Sequence, residues 1–213
     1  MGLTSPVVLQ ARGTMIEILA ALSASAAAGM RIALPLLVIG LLYSDNLWSK
    51  VPVLRYMNPA ILLGILTSWS LFELFASKKL LGQRILQIVQ LVFSPVVGAI
   101  MGVAVAQLAE APTLFVWIVG IVGGLLALVL QLVQVGWFFR LRGLPLWMVF
   151  IQDVLCVVLV IFAFDAPREG GVIALLLLWL AIRSSQQWHH WYVGQNRSRK
   201  YRFRHQIPGS RGE

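Results

Sequence analysis

Apolar runs separated by short polar breaks account for nearly the whole chain, at 15–43, 59–77, 85–108, 114–139, 144–164 and 172–192. The first five approach or exceed the roughly 20 residues a helix needs to cross a bilayer at about 1.5 Å per residue. The sixth is strongly apolar only as far as Ile182. It becomes long enough by continuing through Arg183, Ser184, Ser185, Gln186 and Gln187 to the aromatic group Trp188, Trp191 and Tyr192. The pattern predicts an all-α, polytopic membrane bundle of about six transmembrane helices over 15–192. A short cytoplasmic lead-in, 1–14, precedes it, and a basic, loop-like cytoplasmic tail, 193–213, follows.

Small residues recur at helical spacing inside these runs. Ala20, Ala24, Ala27, Ala28 and Arg31 fall on one face of the first run. Ser94, Gly98, Gly102 and Ala106 recur every four residues in the third, and Gly120, Gly124 and Ala127 lead into Gln131 and Gln134 in the fourth. Such stripes let helices approach closely in lipid, so Gly98, Gly102, Gly120 and Gly124 are expected at packing seams. Pro35 and Pro95 lie inside runs. Each lacks an N–H and crowds the carbonyl four residues back, so a helix break is expected at both.

Composition agrees with this pattern and adds an orientation. The 213 residues are 59% hydrophobic and 12% charged, a balance outside the range of soluble domains. The 17 Lys and Arg residues are spread unevenly among alternate loops. Thirteen (Arg12, Lys78, Lys79, Arg84, Arg140, Arg142, Arg183 and six between 197 and 211) fall on one side, three (Lys50, Arg55, Arg168) on the other, and Arg31 is left within the membrane. The positive-inside rule then places both termini in the cytoplasm. The net charge of +9 does not imply nucleic acid, because the cations follow the loops and the tail. The expected partners are the lipid bilayer, anionic lipid headgroups along Arg197, Arg199, Lys200, Arg202 and Arg204, and, through the small-residue stripes, a homo-oligomer or a larger membrane complex. Cys156 is the only cysteine, which leaves no disulfide or thiolate metal site within the chain.

Depth along the helices brings candidate chemistry together. Arg31 and Asp153 both fall near the midplane, where an unpaired charge costs about 2.5 to 3.5 kcal/mol even on the lenient insertion scale, and they are expected to form an ion pair. A second group, Glu17, Glu73, Gln87, Gln90, Gln131, Gln134, Arg183 and Gln187, lies within a few turns of the cytoplasmic face and is read as a polar vestibule. His189 and His190 sit among tryptophans and belong to an interfacial aromatic belt. No phosphate-binding glycine loop, metal-ligand pair or nucleophile with a base is present, so neither an enzyme nor a cofactor is expected.

These residues carry a resemblance. Gly29, Met30, Arg31, Ile32, Ala33, Leu34 and Pro35 resemble the glycine, arginine and proline signature of the DUF4126 family, small bacterial and plastid membrane proteins defined by a domain of unknown function. Glu73 followed by Ser77, Lys78 and Lys79 is similar to the family's acidic second span and its charged exit, with Ser77 and Leu80 departing from the pattern. Ser94, Pro95 and Gly98 resemble its proline and glycine segment. The stretch 162–185 is similar to cyanobacterial members, and that similarity implies a plasma or thylakoid membrane.

Two function classes follow. One is a channel-like or carrier-like protein that binds a small polar or anionic solute in the vestibule, near the interrupted helices. The other is a non-catalytic assembly or scaffold protein that docks larger membrane complexes through exposed small-residue faces.

Overall fold

The computed structural model describes residues 6–42, 58–76, 80–109, 112–141 and 145–204, with side chains of the last helix described through 185. These residues form seven helices and no strand: α1 (Pro6–Met30), α2 (Ala33–Leu42), α3 (Pro59–Ala76), α4 (Leu80–Leu108), α5 (Thr113–Leu141), α6 (Leu146–Asp165) and α7 (Pro167–Arg204). Among the described residues, four stretches are long and apolar enough to cross a membrane: Gly13–Met30, Gly82–Leu108, Thr113–Arg140 and Trp147–Asp165. Large apolar side chains such as Ile88, Val92, Phe93, Ile118, Ile121 and Leu125 point outward. In water such a surface would be an aggregation site, whereas in hydrocarbon it is solvated. The chain is an integral membrane protein.

The first apolar run is two helices, not one. Pro35 cannot continue a preceding helix, but it is tolerated in a first turn, where N–H groups need no helical acceptor. The chain accordingly stops α1 at Met30 and restarts at Ala33, which puts Pro35 at the third position of α2. Asn58 caps α3, its Oδ1 accepting from the Ala60 N–H at 3.0 Å while Pro59 fills the first helical position.

Pro95 behaves differently, and here the expected break is absent: α4 runs unbroken through it. A membrane helix tolerates one lost backbone bond where neighbouring helices and hydroxyls surround the site. Ser94, fully buried, directs its hydroxyl toward the carbonyls of Ala28 at 3.4 Å and Ala127 at 3.3 Å. A Cβ on Gly124 would lie 2.8 Å from the Pro95 carbonyl oxygen, so α5 presses directly on the proline turn.

α1 is the central helix, packed by α4, α5, α6 and α7. Ala24, Ala26, Ala27, Ala28, Ser23 and Ser25 are completely buried along it. The Ser23 hydroxyl donates to the Leu159 carbonyl at 2.7 Å and that of Ser25 to the Gly98 carbonyl at 3.0 Å. In sequence order, Ser23 meets Leu159, Ala27 meets Cys156 and Arg31 meets Asp153, so α1 runs antiparallel to α6. Leu19 and Ser23 lie against Gly171 and Gly170. α1 and α7 therefore start at the same end of the bundle.

The chain ends, 1–5 and 205–213, on which the expectation of two termini on one side falls, lie outside the described residues. The start of α1 lies at the end where α6 meets α7, opposite the end where α5 meets α6, while α7 proceeds toward the latter and brings Ser184 to Trp137 at 3.0 Å. The tail reading changes, since α7 continues to Arg204. Its residues from 195 to 204 contain neither Gly nor Pro and include the helix formers Gln, Arg and Lys.

Candidate functional site

The gap between α1 and α2 opens helix backbone inside the bundle. With no helix continuing past Met30, its carbonyl has no donor four residues on. Gln152 of α6 supplies one, its Nε2 donating to the Met30 carbonyl at 2.6 Å and to Gln134 Oε1 at 2.8 Å. The next residue on α6, Asp153, accepts at Oδ1 from Arg31 Nε at 2.6 Å. One turn of α6 thus holds both the open end of α1 and the charge beside it.

Arg31 has a second carboxylate. Glu73, near the end of α3, places Oε2 3.6 Å from Arg31 Nη1. Its other oxygen accepts from Trp69 Nε1 at 2.9 Å and from Gln90 Nε2 at 3.3 Å. Arg31 and Glu73 are only 6% and 3% exposed, so water contributes little to either. One guanidinium therefore faces two carboxylates, Glu73 buried and Asp153 part-exposed with its side chain 23% accessible.

Behind Glu73 the site becomes an amide network. Gln131 of α5 directs Nε2 toward Gln87 Oε1 and Gln90 Oε1 of α4, both at 3.4 Å. Its own Oε1 is the one buried side-chain oxygen or nitrogen among the described residues with no partner. A cavity of about 20 Å³ lies alongside, lined by Arg31, Gln83, Gln87, Gln90 and Gln152 with Leu86 and Val149 as apolar walls. That volume holds a water-sized molecule with several hydrogen-bonding partners around it.

The structure brings Arg31 together with Asp153, and of the vestibule residues it gathers Glu73, Gln87, Gln90 and Gln131 around them, with Gln134 reached through Gln152. Two others lie elsewhere. Glu17 precedes Arg31 by about 21 Å of helix, toward the opposite end of the bundle. Arg183 is exposed and stacks over Trp179 with its guanidinium carbon 5.2 Å from the ring centroid. The side chains of Gln187, His189 and His190 and the cations of the tail lie outside the described residues. Gln152 and Gln83 belong to the site although the vestibule pattern omitted them. The signal for Gln152 was its place beside Asp153, and that for Gln83 its place one turn before Gln87.

Glycine seams set how close the helices stand. A Cβ on Gly102 would lie 2.9 Å from the Val119 carbonyl oxygen, and one on Gly98 would collide with Ala127. Gly120 faces Val103, and Gly29, next to the site, lies against the Ala127 backbone. These contacts draw α1, α4 and α5 into one compact unit in which the polar cluster is fixed.

The family model for a domain of unknown function, DUF4126, matches residues 18–187, a segment that contains every residue of the cluster. No curated protein and no solved structure matches the chain. The chain belongs to the DUF4126 family.

Proposed function

We propose that this DUF4126 protein is carrier-like or channel-like and binds a small polar solute at Arg31. The observation that supports this reading is the polar cavity beside a broken membrane helix, with a buried arginine and four glutamines on its walls. Interrupted helices in transporters place backbone groups and ion pairs at the solute site, and the gap between Met30 and Ala33 supplies both here. The charge count favours an uncharged solute over an anion, since Arg31 already faces Asp153 and Glu73. An ionisable cluster at this depth is also a costly way to hold helices together, which the glycine seams do without charge.

The scaffold reading requires small residues on an outer face. Gly98, Gly102, Gly120 and Gly124 instead meet neighbouring helices within the bundle.

The test is stopped-flow light scattering on proteoliposomes challenged osmotically with a panel of small uncharged solutes. Entry of at least one solute should exceed that into protein-free vesicles and return to background with Arg31→Met. Identical traces for every solute with and without protein would reject the reading.

A further inference from the structure

Charge balance at Arg31 carries the argument further. The cluster contains one fixed cation and two carboxyl groups within 4 Å of it. Among the described residues, no other ionisable side chain completes the balance. The faces that α4 and α5 turn toward the cluster offer only the amides of Gln83, Gln87, Gln90, Gln131 and Gln134, and α2 carries no ionisable residue. On α6 the Cys156 thiol is engaged with the Ala27 carbonyl, and Arg183 of α7 lies outward over Trp179. With both carboxyls ionised, the cluster would carry a net negative charge with Glu73 buried, an arrangement that a low-dielectric interior penalises.

We infer that the cluster of Arg31, Glu73 and Asp153 holds one exchangeable proton on its carboxyl pair. The inference rests on the solute reading only for its use, as the ion to which solute movement is coupled. The proton passes from a hydronium to a carboxylate oxygen, giving water and a neutral carboxyl group, and returns by the reverse step.

Geometry separates the two carboxyls. Asp153 makes a short, charge-assisted bond to Arg31 and serves as its ionic partner. Glu73 Oε2, at 3.6 Å, is too far from the guanidinium for a hydrogen bond, and this is the oxygen that receives the proton. A metal cation fits the donors poorly. Gln90 presents its NH₂ to Glu73, while the amide oxygens of Gln87 and Gln90 turn toward Gln131, so few oxygens remain to surround a metal. Gln90, which bonds Glu73, also stands on the wall of the adjoining cavity with Gln83 and Gln87, so polar side chains lie on the α4 side of the pair.

Infrared spectroscopy of the full chain in lipid bilayers at neutral pH reads the proton directly, as a carbonyl stretch of a neutral carboxyl group that shifts down in D₂O. The wild type should show the band. Glu73→Gln and Asp153→Asn should each lose it, because either leaves one cation with one anion, and Arg31→Lys, which keeps the charge count, should retain it. Variants are compared as monodisperse protein of wild-type helix content. Absence of the band from the wild type, or its survival in Glu73→Gln or Asp153→Asn, overturns the inference. Solute entry by a protein without the band would reject the proton and leave the carrier reading standing; the band without entry would do the reverse.

Discussion

The side-chain amide of Gln152 donates to the main-chain carbonyl of Met30 at 2.6 Å and so acts as the missing turn of α1. The bond is made by the residue next to Asp153, which fixes the position of Arg31 through the same turn of α6. Gln152→Leu keeps the side-chain volume and leaves the carbonyl unpaired in a buried setting. It should destabilise the fold by about 1 to 3 kcal/mol, the range for orphaning a buried polar group. Reversible unfolding in mixed micelles measures it, and an unchanged midpoint would show that the carbonyl finds another donor.

Arg31→Ala removes the cation that faces both carboxyls. Breaking a buried pair from one side costs about 3 to 5 kcal/mol, because the remaining charge loses its partner. Asp153→Asn in the same chain should recover part of that loss, with a coupling of about 0.5 to 3 kcal/mol in a double-mutant cycle. Additive effects would contradict the 2.6 Å contact.

Glycines at seams and on the periphery should respond oppositely to one added methyl. In Gly102→Ala the Cβ meets the Val119 carbonyl, a backbone atom that cannot rotate away, so overpacking should cost about 1 to 3 kcal/mol. Gly64 on α3 has nothing within 4 Å of the same position, and Gly64→Ala should stabilise the helix by up to about 1 kcal/mol. Thermal unfolding of the two variants in one detergent decides the contrast.

Topology can be read with cysteine chemistry. The native Cys156 is fully buried and should not react with maleimides in the folded protein, so it gives no background. Single cysteines replacing Gly13 and Pro145 should label from opposite sides of the membrane, as the antiparallel course of α1 and α6 requires. Labelling from one side would restore a shared side for the two positions.

Much of the site was legible because depth is nearly a linear function of position in a membrane helix. Counting turns was enough to pair Arg31 with Asp153, and the glutamines of α4 and α5 fell into register in the same way. Glu73 was assigned only to a vestibule, since counting gives a level and not the direction in which a side chain reaches across. The course of α1 against α6 and α7 rests on the contacts of Ser23 and Leu19, which are invisible in sequence. Pro95 was misread for a related reason. Whether a proline breaks a membrane helix depends on what surrounds its turn, and here α5 and the Ser94 hydroxyl were the deciding neighbours.

The central place of α1 has a consequence for biogenesis. Among the four stretches able to cross the membrane it is the least hydropathic and the most enclosed. It is also the first to leave the ribosome, before any of the helices that wrap it exist. Its serines and the arginine just past its end therefore gain their partners, on α4 and α6, only once those later helices are in place.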